Sequence, residues 1–213
     1  MSQVKCLFFI LIVIAIPSIS FANPVSFKDG WGLMPTYTPD WSDLDINYSL
    51  TNKDAVGVSN FYREGRDSTS DFAVVRYNHL LKRWNELDSQ ANIYASIGVG
   101  GRHDSVHDDS FASFGALEGD YETRRIYTLF AAETLQSPNS VQYNRLRYRA
   151  GFSPYKAPID MLQTWVIGQV DYMPEMNDKV EVTPLLRFFY NNLALEIGSS
   201  LNGKIYLGAM AHF

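Results

Sequence analysis

From residue 43 onward the chain alternates between apolar and polar positions. In Asp43–Leu50 the residues Leu44, Ile46, Tyr48 and Leu50 are interleaved with Asp43, Asp45, Asn47 and Ser49. A period of two is what a β-strand presents on its two faces. After the turn composition of Thr51 to Asp54 the pattern returns in Ala55–Arg63, with Val56, Val58 and Tyr62 opposite Gly57, Ser59 and Arg63. Ala91–Gly101 sets Ala91, Ile93, Ala95, Ile97 and Val99 against Asn92, Tyr94, Ser96, Gly98 and Gly100. In Tyr143–Phe152, Arg145, Arg147 and Arg149 share one face, and Leu146, Tyr148, Ala150 and Phe152 the other. Leu162–Met173, Val180–Tyr190, Leu193–Ser199 and Lys204–Phe213 continue the series.

Two stretches lose the phase. Phe72–Trp84 is mixed, with Val75, Tyr77, His79 and Leu81 against Arg76, Asn78 and Lys82, and a helix over His79–Trp84 stays open. Ala116–Leu135 places Glu118, Asp120, Glu122 and Arg124 on one parity but Arg125 and Glu133 on the other. A β-bulge near Arg124–Arg125 reconciles them by inserting one residue; a break into two strands does so equally. Counted with the bulge, the chain holds ten strands, with eight or twelve as the alternatives. Residues 23–42, rich in glycine and proline, alternate poorly and read as a lead-in that folds under or into the stranded region.

Residues 1–22 read as a secretory signal peptide: Lys5, an apolar core from Cys6 to Ile16, and the small-x-small end Ser20-Phe21-Ala22. Cys6 is the only cysteine, so export leaves no disulfide, thiol catalysis or cysteine metal site. The division expected is therefore a signal peptide at 1–22, a periplasmic lead-in at 23–42 and a single barrel domain at 43–213. Thirteen Tyr and thirteen Phe, and no later apolar run long enough for a transmembrane helix, favour strands over helices as the spanning element. A formal charge of −5 gives no footprint for a nucleic-acid partner. With no glycine-rich phosphate loop and no CxxC, no cofactor is expected.

The last strand, Lys204 to Phe213, has an apolar face of Ile205, Leu207, Ala209, Ala211 and Phe213, and ends flush on its aromatic residue. Together with the signal peptide, this resembles the closing strand of bacterial outer-membrane β-barrels, departing from the commonest pattern at Ala211. The resemblance implies an all-β fold, a small transmembrane antiparallel barrel in the outer membrane. It also implies outer-membrane lipid and the barrel-assembly machinery as partners, with Phe213 in the assembly signal. An even strand count would put both termini on the periplasmic side.

In such a barrel an outward charge near the bilayer midplane costs about 2–4 kcal/mol. The alternation therefore sends Arg63, Arg76, Arg145, Arg147, Arg149, Arg187 and Lys204 into the lumen, with Asp43, Asp45, Asp171, Glu181 and Glu196. Inward Gly57, Gly98, Gly100 and Gly208 leave room for long side chains. The arginine ladder would stand at spacings of about 7 Å, with Asp171, Glu122 and Glu133 as its available partners. Two readings result: a salt-bridged core that fills the barrel, or a narrow, anion-preferring pore for small ions or solutes. A separate candidate is the loop from His103 to Asp109. His103-Asp104-Ser105 has the His-x-Ser form of some outer-membrane lipid hydrolases, and His103, His107 and Asp108 are metal-ligand types. The balance falls on a non-enzymatic channel or structural envelope protein, with a lipid-active or metal-binding barrel as the alternative.

Overall fold

The computed structural model describes residues 24–65, 68–106, 108–138, 142–158 and 160–213. The expected signal peptide lies outside the described residues. Twelve strands run in order: β1 (Trp31–Tyr37), β2 (Trp41–Ser49), β3 (Asp54–Glu64), β4 (Thr69–Asn85), β5 (Ser89–Asp104) and β6 (Ser110–Thr123). Then come β7 (Ile126–Gln136), β8 (Tyr143–Phe152), β9 (Gln163–Met173), β10 (Asn177–Tyr190), β11 (Leu193–Ser199) and β12 (Ile205–His212). Each pairs antiparallel with its sequence neighbour, and β1 pairs with β12 to close the ring. Closure satisfies every strand edge, which an open sheet in hydrocarbon cannot do. Trp31 and Phe213 exchange both backbone hydrogen bonds at 2.9 Å, so the two ends of the barrel meet at one rim.

The count of ten is corrected to twelve at two places. The lead-in supplies one strand: β1 lies within residues 31–37, and β2 begins at Trp41, ahead of the expected barrel boundary at 43. Pro35 and Gly32 masked it, since proline lowers strand propensity and glycine carries no face. The other comes from Ala116–Leu135, which is two strands and not one bulged strand. Thr123 makes the turn between them, its Oγ1 accepting the N–H of Arg125 at 3.1 Å and of Ile126 at 2.8 Å. A register shift does occur, but in β4, between Leu80 and Lys82. The shift turns Lys82 outward, against the inward placement expected from parity, and its ammonium sits 5.7 Å from the Trp84 ring. The strand runs on to Asn85, so the helical alternative for residues 79–84 is not adopted.

The outer surface is an apolar belt between two aromatic rims. Val75 and Ile97 are 61% and 66% exposed, and Val58, Leu117 and Leu195 resemble them. Around the rim that carries the termini stand Trp31, Tyr77, Trp84, Tyr121, Phe152 and Tyr190; around the opposite rim stand Tyr37, Phe111 and Tyr172. Aromatic girdles flanking an apolar band are the surface a barrel shows to a bilayer. Among the described residues no helix is long and apolar enough to cross one.

Much of the interior is filled. Beneath the rim opposite the termini, Phe61, Phe72, Phe114, Leu135 and Tyr143 form a buried apolar cluster, with Phe61 and Phe114 stacked at 5.2 Å. At the terminal rim, residues 24–30 fold back into the mouth. Val25 is fully buried against Ala55, Leu80 and Tyr94. The Ser26 N–H donates to Ser49 Oγ at 2.9 Å and the Lys28 N–H to Asn52 Oδ1 at 3.0 Å, which anchors the segment to β2 and the turn after it. Of the inward glycines, Gly98 does lie beside an arginine: an added Cβ would meet Arg76 Cγ at 3.1 Å. Gly100 instead lets the β4 backbone approach, since a Cβ there would run into the Ala73 carbonyl.

Candidate pore lining

The lining is built on β8. Strand alternation holds Arg145, Arg147 and Arg149 on its inner face, each buried, and each guanidinium meets a carboxylate from a different part of the barrel. Arg147 Nε lies 2.8 Å from Asp171 Oδ1 on neighbouring β9, and Arg145 Nη2 lies 2.5 Å from Glu133 on neighbouring β7. Arg145 also reaches Asp43 Oδ2 at 2.8 Å. Asp43 is on β2, six strands from β8 in either direction around the ring of twelve, so this pair joins opposite walls. Asp43 takes a second guanidinium, Arg63 Nη1, at 2.5 Å. Trp41, two residues earlier on β2, lies 5.0 Å and 5.1 Å from the Arg145 and Arg147 guanidinium carbons.

Arg149 turns toward the closing strands. Its Nη1 lies 3.2 Å from Glu196 Oε1 on β11, and its Nη2 donates to Tyr206 Oη on β12 at 2.7 Å. Arg187 on β10 shares that Glu196 oxygen at 2.7 Å, and the Tyr206 hydroxyl donates to Glu196 Oε2 at 2.9 Å. Arg76 on β4 pairs with Asp45 at 2.9 Å. Asp171 and Glu181 stand opposite each other in the β9–β10 register. Lys204, ahead of β12, sits at the rim far from the termini, bridging to Asp40 and lying 3.7 Å from Glu181. Burial pulls its ammonium pKa down, but the hydrogen bond to Asp40 and the charges of Glu181 and Asp40 outweigh it, so the net direction is upward.

Two spaces remain inside. A cavity of about 130 Å³ lies at mid-lumen, lined by Arg76, Arg145, Arg147, Arg149 and Arg187 with Asp43, Asp45, Glu118, Glu133 and Glu196. Pro24 of the folded-back segment lines it too. A larger space of about 410 Å³ opens at the terminal rim, lined by Glu122, Arg124, Lys156, Gln163, Trp165 and Phe189 among others. Five arginines against five carboxylates leave no formal excess of positive charge around the central cavity, contrary to the excess that the ladder alone suggests. The asymmetry lies in hydrogen bonding. Among the described residues, Arg76 Nε, Arg145 Nε, Arg147 Nη2 and Arg149 Nε are buried N–H donors without a partner.

Several of these groups were hidden in the sequence. Glu122, expected beside the ladder, is on β6, two strands from β8, and lines the terminal mouth. Glu118 and Asp120 face inward on the same strand; Asp120 Oδ1 accepts from Asn92 Nδ2 at 2.8 Å. Trp41 and Tyr206 are both buried against arginines; Trp41, in the expected lead-in, carried no signal, and Tyr206 none beyond its parity.

In the histidine loop the described side chains of His103, Asp104 and Ser105 each engage a different partner. His103, at the end of β5, alternates with buried Arg102 and Asp104 and so points outside, where Nδ1 meets Asp109 Oδ1 at 2.6 Å. Ser105 Oγ accepts the Thr69 N–H at 2.9 Å, tying the loop to β4. Asp104 is inward, accepting from Ser70 Oγ at 2.7 Å and pairing with Arg102. Asp108 is exposed, and His107 lies outside the described residues. Among the described residues no group of three or more histidine and acidic side chains is placed to hold a metal.

The architecture has counterparts among solved structures. A KdgM porin in complex with disordered oligogalacturonate superposes with a TM-score of 0.51 at 11% identity, over 86% of this chain and 99% of that one. The chain shares its closed antiparallel barrel fold with that structure. A second structure of KdgM porin matches with a TM-score of 0.50, again at 11% identity and with the same coverage. No protein-family model and no curated protein sequence matches the chain.

Proposed function

We propose that this protein is an outer-membrane channel, narrow and preferring anionic solutes. The apolar belt and aromatic girdles support a bilayer surround, and the leader-like residues 1–22 support export. The observation that carries the solute preference is the set of five arginines, Arg76, Arg145, Arg147, Arg149 and Arg187, that line the central cavity. Arginine is charged at every relevant pH and offers only donors. A solute rich in carboxylate or hydroxyl oxygen accepts from guanidinium groups that face the cavity, whereas a cation finds most of the carboxylates already engaged. The KdgM porin structure holds oligogalacturonate, a polycarboxylate, which is the same kind of solute.

The test is the reversal potential of refolded protein in planar bilayers across a potassium chloride gradient. A potential of the sign carried by chloride supports the reading; one of the sign carried by potassium refutes the preference. The Arg145–Asp43 pair favours a second reading, a barrel whose filled lumen serves envelope structure, because it spans the lumen from wall to wall. Correctly folded protein that never conducts would establish that reading.

A further inference from the structure

The junction of Asp43 with Arg63 and Arg145 is built like a receptor for a carboxylate, and the group sitting in it belongs to the chain itself. Two guanidiniums from different strands, Arg63 on β3 and Arg145 on β8, converge on the two oxygens of one carboxylate at 2.5 Å and 2.8 Å. The Trp41 ring covers the site, with the Arg145 and Arg63 guanidinium carbons 5.0 Å and 6.0 Å from its centroid. Charge-assisted donors held by an aromatic face are a general solution for binding carboxylates. All four side chains are buried, at 9% exposure or less, so the site is organised and shielded from bulk water.

The origin of that carboxylate matters. Asp43 is a short side chain on one wall, and the guanidinium it shares with Glu133 comes from the opposite wall. Losing one of its two carboxylates would not leave Arg145 unpaired, because Glu133 remains on neighbouring β7. The Asp43 contact is therefore the exchangeable one. The central cavity borders it, with Asp43 and Arg145 both in its wall.

We propose that the Arg63–Arg145–Trp41 seat is a binding site for solute carboxylates, and that Asp43 is a tethered occupant which holds the lumen closed by linking its opposite walls. An incoming carboxylate replaces Asp43 on Arg145, the cross-lumen link is released, and the solute rests where the chain's own carboxylate rested. No bond is made or broken; one ion pair is exchanged for another of the same kind. The closing role rests on the channel reading, whereas the seat does not.

Two measurements on Asp43→Ala test this. The first is its unfolding temperature in detergent micelles, in sodium acetate and in sodium chloride at equal ionic strength. Acetate is expected to raise it well above the chloride value in Asp43→Ala and to make no such difference in the wild type or in Asp43→Ala combined with Arg63→Gln. Equal unfolding temperatures in the two salts overturn the seat. If Asp43→Ala refolds only when acetate is present, that too supports the seat, and Asp43→Asn supplies a folded protein for the same comparison. The second is single-channel conductance, expected to rise severalfold in Asp43→Ala or Asp43→Asn. A conducting wild type with unchanged conductance in both variants overturns the closing role and leaves the channel reading intact. An acetate effect without conductance in any form confirms the seat and refutes the channel reading.

Discussion

Arg147 and Asp171 face each other across a single β8–β9 pairing, Nε to Oδ1 at 2.8 Å, with both side chains buried. Gln169, two residues before Asp171, donates to its other oxygen at 2.5 Å. Removing one partner of a buried pair leaves an uncompensated charge, at about 3–5 kcal/mol. Asp171→Ala should lower stability by an amount in that range, measured by urea unfolding in detergent and by loss of the heat-modifiable band on a gel. A midpoint equal to that of the wild type would show that water or a neighbouring carboxylate takes over the arginine.

Glu196 should matter more than the hydroxyl beside it. It accepts from Arg149, Arg187 and Tyr206, so Glu196→Ala strands two buried guanidiniums at once. Tyr206→Phe removes one hydroxyl that bridges Arg149 and Glu196 but leaves the ion pairs, a loss of about 2 kcal/mol for hydrogen bonds to charged groups. The expected order in unfolding experiments is Glu196→Ala well below Tyr206→Phe, and Tyr206→Phe below wild type. The reverse order would mean that the tyrosine, and not the carboxylate, organises this corner.

The seating of residues 24–30 is open to a chemical probe. Cys6 is the only cysteine of the chain, so a protein processed as a signal peptide predicts, after residue 22, is cysteine-free. In Val25→Cys, the thiol should resist a membrane-impermeant maleimide while the barrel is folded and react fully in denaturant, because Val25 is buried against Ala55, Leu80 and Tyr94. Lys28→Cys, on the same segment and exposed, should label readily in both states. Rapid labelling of folded Val25→Cys would show that the segment leaves the mouth.

Parity carried most of the fold and only the local part of the site. Tyr143–Phe152 and Ala91–Gly101 were readable because one face is mostly apolar and the other mostly polar or glycine. The alternation in β4 failed where an inserted residue shifts the register at Leu80–Lys82, since a bulge reverses every face beyond it. The β6–β7 turn was left undecided between a bulge and a break because Arg124 and Arg125 replace the usual Gly or Asn, and a threonine hydroxyl makes the turn instead. The pairs Arg147–Asp171 and Arg145–Glu133 were legible because consecutive strands are neighbours. Arg145–Asp43 and Arg149–Glu196 were not, because contacts across a lumen depend on how a closed ring folds its side chains inward, which no sequence period records. The inward phenylalanines Phe61, Phe72 and Phe114 belong to the same class: an apolar residue on the inner face looks, in the sequence, like a lapse in the alternation.

The join between the first and last strands has the fewest matched positions in the ring. Gly32 and Leu33 pair with His212 and Ala211, and Thr36 and Tyr37 with Gly208 and Leu207, but the register skips Met34 and Pro35. On its other side β1 is matched at every residue to β2. A proline has no N–H to give, so the gap cannot be mended by a small slide of the strand. A cylinder resists being opened only as well as its weakest longitudinal join, and this one behaves like a zip with teeth missing at mid-height. Sideways strain would part the wall there first, turning the tube into a curved sheet hinged along β2.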